Sequence, residues 1–207
     1  MKNQTIEYYN NNANEFCEST AQCDMKNLYR PFLERLPKNA GILDLGCGSG
    51  RDTKEFLNKG YRVTAADGAE SICRLASEYI GQQVRCLTFE NLDYVEEFDG
   101  VWACASLLHV EKTKIEDVIK RIHTALVSGG TLYASFKYGG GETERNGRLF
   151  SNYMEQDIEI LFSKDLGWED MVCFITQDVR QEWTQEKWIN ILVNKQRTDV
   201  DSICEKI

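Results

Sequence analysis

The sequence predicts a doubly wound α/β fold, a mainly parallel sheet with helices on both faces, and three observations carry that expectation. Short apolar runs alternate with amphipathic stripes from residue 41 to residue 136, the rhythm of βαβ units. The stretch 41–52, Gly-Ile-Leu-Asp-Leu-Gly-Cys-Gly-Ser-Gly-Arg-Asp, joins an apolar strand to a helix through glycines at every second position. After residue 153 the alternation gives way to two β-rich runs, 171–177 and 188–194, whose short 178–185 connection predicts a closing antiparallel hairpin.

The chain opens with a weak helical stripe over 4–18, carried by Ile6, Tyr9, Ala13 and Phe16, and a second helix over 28–36 that Pro37 stops. Together they form an N-terminal helical cap, 1–37, in which Tyr9 and Phe16 either dock the arm to the body or touch a ligand. Ile42, Leu43 and Leu45 make the first strand, and the helix 53–59 closes at Gly60. A second strand, 61–66, runs into Asp67-Gly68. Ile72, Leu75, Ala76, Tyr79 and Ile80 mark the next helix face, capped by Gly81. Strands are predicted over 84–89 and 98–105. Ile115, Val118, Ile119, Ile122 and Leu126 make a helical stripe ended by Gly129-Gly130, and 131–136 is a fifth strand. The stretch 137–153, rich in glycine and charge, reads as a loop, and a helix over 154–162 follows.

Composition narrows the function. At 207 residues and 42% hydrophobic, the chain suits a single domain, 1–207, and no apolar run reaches membrane-spanning length. A net charge of −9 argues against nucleic acid as the main partner. Met1-Lys2-Asn3-Gln4 leads into polar residues rather than a signal core, so a cytoplasmic protein is expected. The eight cysteines, 17, 23, 47, 73, 86, 104, 173 and 204, contain no Cys-x-x-Cys pair and read as reduced thiols. With two histidines and no thiolate cluster, no metal site is expected. Monomer and homodimer both stay open.

The glycine turn brings backbone N–H groups close to a ligand at a helix N-terminus. A dinucleotide fingerprint needs a small residue at its third position, where Arg51 or Thr53 stands, and Asp52 at the helix start repels a pyrophosphate. A ligand without phosphate fits better. Leu43-Asp44-Leu45-Gly46-Cys47-Gly48-Ser49-Gly50 resembles the first motif of class I S-adenosylmethionine (SAM)-dependent methyltransferases, and Asp67, 17 residues after Gly50, stands where their second-strand acid does. Phe98-Asp99-Gly100-Val101-Trp102 with Ser106-Leu107-Leu108-His109-Val110 resembles their fourth strand and the loop after it, and Gly129-Gly130-Thr131-Leu132 the turn before their fifth. Ser135-Phe136-Lys137-Tyr138-Gly139, Gly147-Arg148 and Trp188-Ile189-Asn190 resemble the tellurite-resistance-like, small-molecule branch.

The resemblance implies a Rossmann-like seven-stranded sheet with an antiparallel last strand, SAM as cofactor, S-adenosylhomocysteine as product, and a small-molecule methyl acceptor. Gly46 and Gly48 would seat the methionine end, and Asp67 would accept both ribose hydroxyls or else begin a turn. Asp44 would hold the methionine amino group or only fix the turn. This chain departs from the family at the third strand, where Thr88 stands near the usual acid; Phe89 and Glu90 are the adenine candidates. His109 is the acid/base candidate, by its pKa class and its place after the fourth strand, against a packing role in the wall. His123 reads as structural. Lys137, Arg145 and Arg148 would draw an anionic acceptor toward a substrate-side loop, 137–153, with Lys137 the stronger candidate and a solvated loop the alternative for the two arginines. The implied activity is methyl transfer from a sulfonium by in-line displacement (EC 2.1.1.-). A non-catalytic SAM-binding or regulatory protein is the alternative, and a dinucleotide oxidoreductase is disfavoured by Arg51 and Asp52.

Overall fold

A computed structural model describes residues 4–180 and 185–197; Cys204, the first three residues and part of the 178–185 connection lie outside the described residues. The helical cap comprises α1 (Gln4–Asn11), α2 (Ala13–Thr20) and α3 (Lys26–Leu33). The body then runs β1 (Gly41–Leu45), α4 (Arg51–Asn58), β2 (Arg62–Asp67), α5 (Glu70–Ile80), β3 (Arg85–Cys86), β4 (Phe98–Ala103), α6 (Ile115–Ala125) and β5 (Leu126–Lys137). It ends with β6 (Glu142–Arg145), β7 (Arg148–Ser151), α7 (Glu155–Leu161), β8 (Trp168–Gln177) and β9 (Lys187–Lys195).

Seven strands pair in the order β3-β2-β1-β4-β5-β9-β8, and β9 runs antiparallel to both neighbours. The doubly wound sheet and its antiparallel last strand are as the sequence predicts. β1 is buried along its whole length, which is why it is an unbroken apolar run apart from Asp44. The chain leaves β1 toward β2 and β3, then returns to β1's other side with β4. The crevice at such a reversal, outside the carboxyl ends of the strands, is where open α/β sheets take ligands.

One sheet face packs α3 and α4 through Tyr29, Phe32, Phe56, Trp102 and Tyr133, with the Trp102 and Tyr133 rings stacked at 3.9 Å. The opposite face packs α6 and α7 through Val118, Ile122, Ile158 and Leu161. Among the described residues no helix is long and apolar enough to cross a membrane. The described cysteines are all free thiols.

Several boundaries differ from the sequence expectation. The 4–18 stripe breaks at Asn12, whose backbone leaves the helical region and whose side chain donates to the Tyr8 carbonyl. The second cap helix covers 26–33 with Pro31 inside it, rather than 28–36. The strand expected over 84–89 shrinks to two exposed residues at the sheet edge, because Phe89–Asn91 turns into a 3-10 helix. Leu126 belongs to β5 and pairs with Phe98; the register then shifts before Gly100 meets Thr131. The largest correction falls on 137–153. Residues 142–151 form a β-hairpin, because Asn146 (φ 53°) and Gly147 (φ 75°) supply the left-handed pair of a tight hairpin turn.

Candidate functional site

The glycine turn is fixed from below by β2: the Gly46 and Cys47 N–H groups both donate to the Ala66 carbonyl, at 2.8 and 3.0 Å. Gly46 adopts φ +79°, and a Cβ there would lie 2.3 Å from the Ser106 Cβ, so no larger residue fits. Ser106 is pinned by its own hydroxyl, which donates to the Leu45 carbonyl at 2.7 Å. Gly48 faces the Phe16 ring of α2, 3.2 Å from where its Cβ would stand. The turn thus presents bare backbone to a crevice roofed by the cap.

Asp67 ends β2 beside the turn, where Gly48 N–H donates to one carboxylate oxygen at 3.1 Å and Ala69 N–H to the other at 3.0 Å. Burial pushes its carboxyl up, and the backbone donors hold it partly back. Asp44 is only 2% exposed, takes a 2.6 Å hydrogen bond from Thr53 Oγ1, and is not among the residues lining the cavities. Burial, with the negative charge of Asp52 added, pushes its carboxyl up to about 8. Its place behind the turn is that of a residue bracing α4 against β1.

Two cavities open on the turn. The smaller, about 100 Å³, is lined by Asp67, Gly68, Ile72 and the 87–90 segment, so Phe89 and Glu90 share it with Asp67. The larger, about 220 Å³, takes in Lys137, Arg145, Arg148, Phe150 and Trp188. Tyr9, Phe16, Gly46, Gly48, Ala105 and His109 line both, so the two spaces meet at the turn.

His109 stands at that meeting point. Its Nδ1 lies 2.6 Å from the Leu149 carbonyl of β7, and its Nε2 lies 2.9 Å from the Tyr9 hydroxyl of α1. A carbonyl only accepts, so Nδ1 carries the proton and Nε2 accepts the Tyr9 O–H. Burial lowers the His109 pKa to about 4; the Leu149 carbonyl opposes the shift and the Arg148 and Lys137 charges add to it. The ring is neutral near pH 7 with its basic nitrogen toward the cavity. Burial also raises the Tyr9 phenol, against the pull of Arg148. His123, by contrast, meets the Gly167 carbonyl at 3.1 Å, away from both cavities' walls.

The charged wall holds residues the sequence reading missed. Lys137 and Arg145 both pair with Glu186, at 2.5 and 3.0 Å. Burial works to raise the Glu186 carboxyl, but those two cations hold it below the usual range. Arg180 grips Asp178 through two nitrogens, at 2.9 and 2.6 Å, and Trp188 Nε1 donates to the same carboxylate. Arg51 pairs with buried Asp52, which also accepts from Tyr29 Oη at 2.6 Å and Trp102 Nε1 at 2.8 Å. Asp52, read from sequence only as repelling a phosphate, ties the cap to the sheet. Among the described residues no cluster of His, Cys, Asp and Glu suits a metal ion.

A family model described as a methyltransferase domain matches residues 42–130, the segment holding the turn, Asp67 and His109. The ubiquinone biosynthesis O-methyltransferase of Idiomarina loihiensis is 32% identical over 101 residues, which are 45% of this chain and 41% of that protein. The chain spans about half the length of the curated relatives it matches. Among solved structures, Burkholderia thailandensis 1,6-didemethyltoxoflavin-N1-methyltransferase, with bound 1,6-didemethyltoxoflavin and S-adenosylhomocysteine, superposes with TM-score 0.73 at 22% identity. The superposition covers 93% of this chain and 88% of that one. The [4+2]-cyclase SpnF superposes with TM-score 0.69 at 16% identity, covering 95% and 97%. At such identities the likeness speaks for the fold.

Proposed function

We propose that the chain is a SAM-dependent methyltransferase acting on a small-molecule acceptor by in-line displacement. The observation that carries this reading is the junction of the two cavities at a glycine turn that no side chain can enter, with Asp67 on one side and His109 between them. The smaller space, with a carboxylate at its strand end, suits an adenosine: the Asp67 oxygens would take the ribose hydroxyls, and the 87–90 segment would flank the base. The bare backbone of Gly46 and Gly48 suits the methionine end. When bound, SAM supplies a methyl group on a positively charged sulfur that a nucleophile displaces.

The chain's own residues do the rest. Tyr9 and Phe16 close the crevice from the cap and exclude water. His109 has its tautomer fixed by Leu149, so Nε2 is a lone pair aimed at the junction. An acceptor hydroxyl or amine that takes the place of the Tyr9 hydroxyl on Nε2 can hand over its proton as it becomes acidic on methylation. A pKa near 4 keeps that nitrogen unprotonated at neutral pH.

Calorimetry tests the cofactor: S-adenosylhomocysteine should bind and NAD should not. Asp67→Ala should weaken S-adenosylhomocysteine by about 2 kcal/mol, as loss of a charge-assisted pair does; unchanged affinity removes Asp67 from the ribose role. His109→Ala should keep that affinity and lose turnover with labelled SAM, whereas full activity would make His109 a wall residue. The second reading is a chain that uses the pocket without methyl transfer. The fold shared with a protein described as a [4+2]-cyclase keeps it open, and cofactor binding without methylated product across a broad acceptor screen would favour it.

A further inference from the structure

The chain carries a net charge of −9, yet Arg51, Lys137, Arg145, Arg148 and Arg180 all line its larger cavity. Arg51 is held by Asp52, Lys137 and Arg145 by Glu186, and Arg180 by Asp178. Arg148 pairs with no carboxylate among the described residues. Its guanidinium instead lies over aromatic rings, 4.2 Å from the centre of Tyr8, 5.2 Å from Phe150 and 5.9 Å from Tyr9. Its Nε is buried and has no hydrogen-bond partner. Ring faces stabilise a guanidinium without meeting the N–H groups along its edge, and here the Tyr9 hydroxyl takes one of them while Nε stays unpartnered. A half-buried guanidinium without a carboxylate partner, beside the basic nitrogen of the site, is completed by an anion brought in from outside. Phe16, Phe150 and Trp188 give the same cavity flat aromatic surface, and Leu28 adds to its apolar lining.

On the methyltransferase reading above, we infer that the acceptor is a small anion with a flat apolar body, and that Arg148 receives its charge. Lys137, the stronger candidate by sequence, is held by Glu186, which it shares with Arg145, whereas Arg148 has no such carboxylate among the described residues. The reacting hydroxyl or amine of such an acceptor lies close to its anionic group, because Arg148 and His109 both border Tyr9.

The test titrates the three hydroxybenzoates, and the matching uncharged hydroxybenzamides, into the chain saturated with S-adenosylhomocysteine. At least one acid should bind tenfold or more tightly than its amide. Arg148→Met, which keeps a long stem against the rings, should bring acid and amide to equal affinity while leaving S-adenosylhomocysteine affinity within twofold. Arg148→Lys should restore part of the preference. The inference is overturned if no hydroxybenzoate binds, if wild type binds amides as tightly as acids, or if the preference survives in Arg148→Met. A fall in S-adenosylhomocysteine affinity with the preference intact also overturns it, and assigns the charge to the methionine carboxylate. Failure of wild type to bind S-adenosylhomocysteine at all would sink the methyltransferase reading itself, and the inference with it.

Discussion

The half of the site built on residues 41–68 and the half built on 4–20, 137–151 and 178–188 make their walls in different ways. In the first half the contacts all start from backbone N–H groups over short stretches of chain: Gly46 and Cys47 onto the Ala66 carbonyl, and Gly48 onto the Asp67 carboxylate, 19 residues apart. In the second half the contacts are made by side chains from distant parts of the sequence. Tyr9 meets His109 across 100 residues, Thr5 meets Leu149 across 144, and Lys137 meets Glu186 across 49. A wall of backbone admits few alternatives and serves one ligand. A wall of side chains is free to change its chemistry, which is where an acceptor is selected.

Gly46→Ala breaks the first half alone and has the largest expected effect. The new Cβ overlaps the Ser106 Cβ at 2.3 Å, and φ +79° strains any residue other than glycine. Overpacking and strain together should cost about 3–5 kcal/mol in denaturant unfolding. S-adenosylhomocysteine binding should disappear, and far-ultraviolet circular dichroism should show the chain still folded at low temperature. A variant that kept full cofactor affinity would show that the turn has room the geometry denies it.

The difference in construction also explains what the sequence made legible. The strand, turn and acid of residues 41–67 were readable because each residue's role is set by neighbours a few positions away or by the next strand's end. Arg145-Asn146-Gly147-Arg148 held a hairpin signature, yet the surrounding glycines and charges read as loop. Asp44 stood in the motif either as a holder of the methionine amino group or as a brace of the turn, and its hydrogen bond from the Thr53 hydroxyl, on the next helix, is a contact that no spacing in the sequence shows. No spacing rule places Tyr9 on His109 or pairs Lys137 with Glu186, because those contacts exist only once the sheet brings its carboxyl ends together.

A pH titration of stability separates the halves next. His109 titrates near 4 in the folded chain against 6.5 when free. As pH falls through 6.5 the unfolded chain takes up the proton first, so stability is lost between about 6.5 and 4 and is level below that. The shift corresponds to at most about 3 kcal/mol, and to about 2 kcal/mol after allowing for partial solvent access to the ring. Asp44 acts in the opposite sense. Its folded pKa is raised to about 8 from 3.8, so its contribution is present at low pH and lost as pH rises through that window. The two effects oppose each other between 4 and 6.5, so the readout is the difference between wild type and His109→Gln. That difference should rise in favour of wild type between pH 4 and 6.5 and be level on either side of that window. A flat difference would mean that the ring is solvated, and that the cap does not close over it.

The smallest effect tests whether the side-chain half closes as one piece. Thr5 Oγ1, on α1, accepts the Leu149 N–H at 3.1 Å, while the Leu149 carbonyl holds His109 Nδ1. One residue of the hairpin therefore joins the cap to the base. Thr5→Val keeps the shape of the side chain and removes the acceptor, so stability should fall by about 1 kcal/mol, the net worth of one such bond. Cofactor affinity should fall less than turnover, because Gly46, Gly48 and Asp67 are untouched, although Thr5 also lines the smaller cavity. Turnover should fall further than stability does, since His109 loses the fixed Leu149 carbonyl that sets its tautomer. Equal losses in cofactor affinity and turnover would mean that the two halves do not open independently, and that the cap is as much a part of the cofactor seat as the glycine turn.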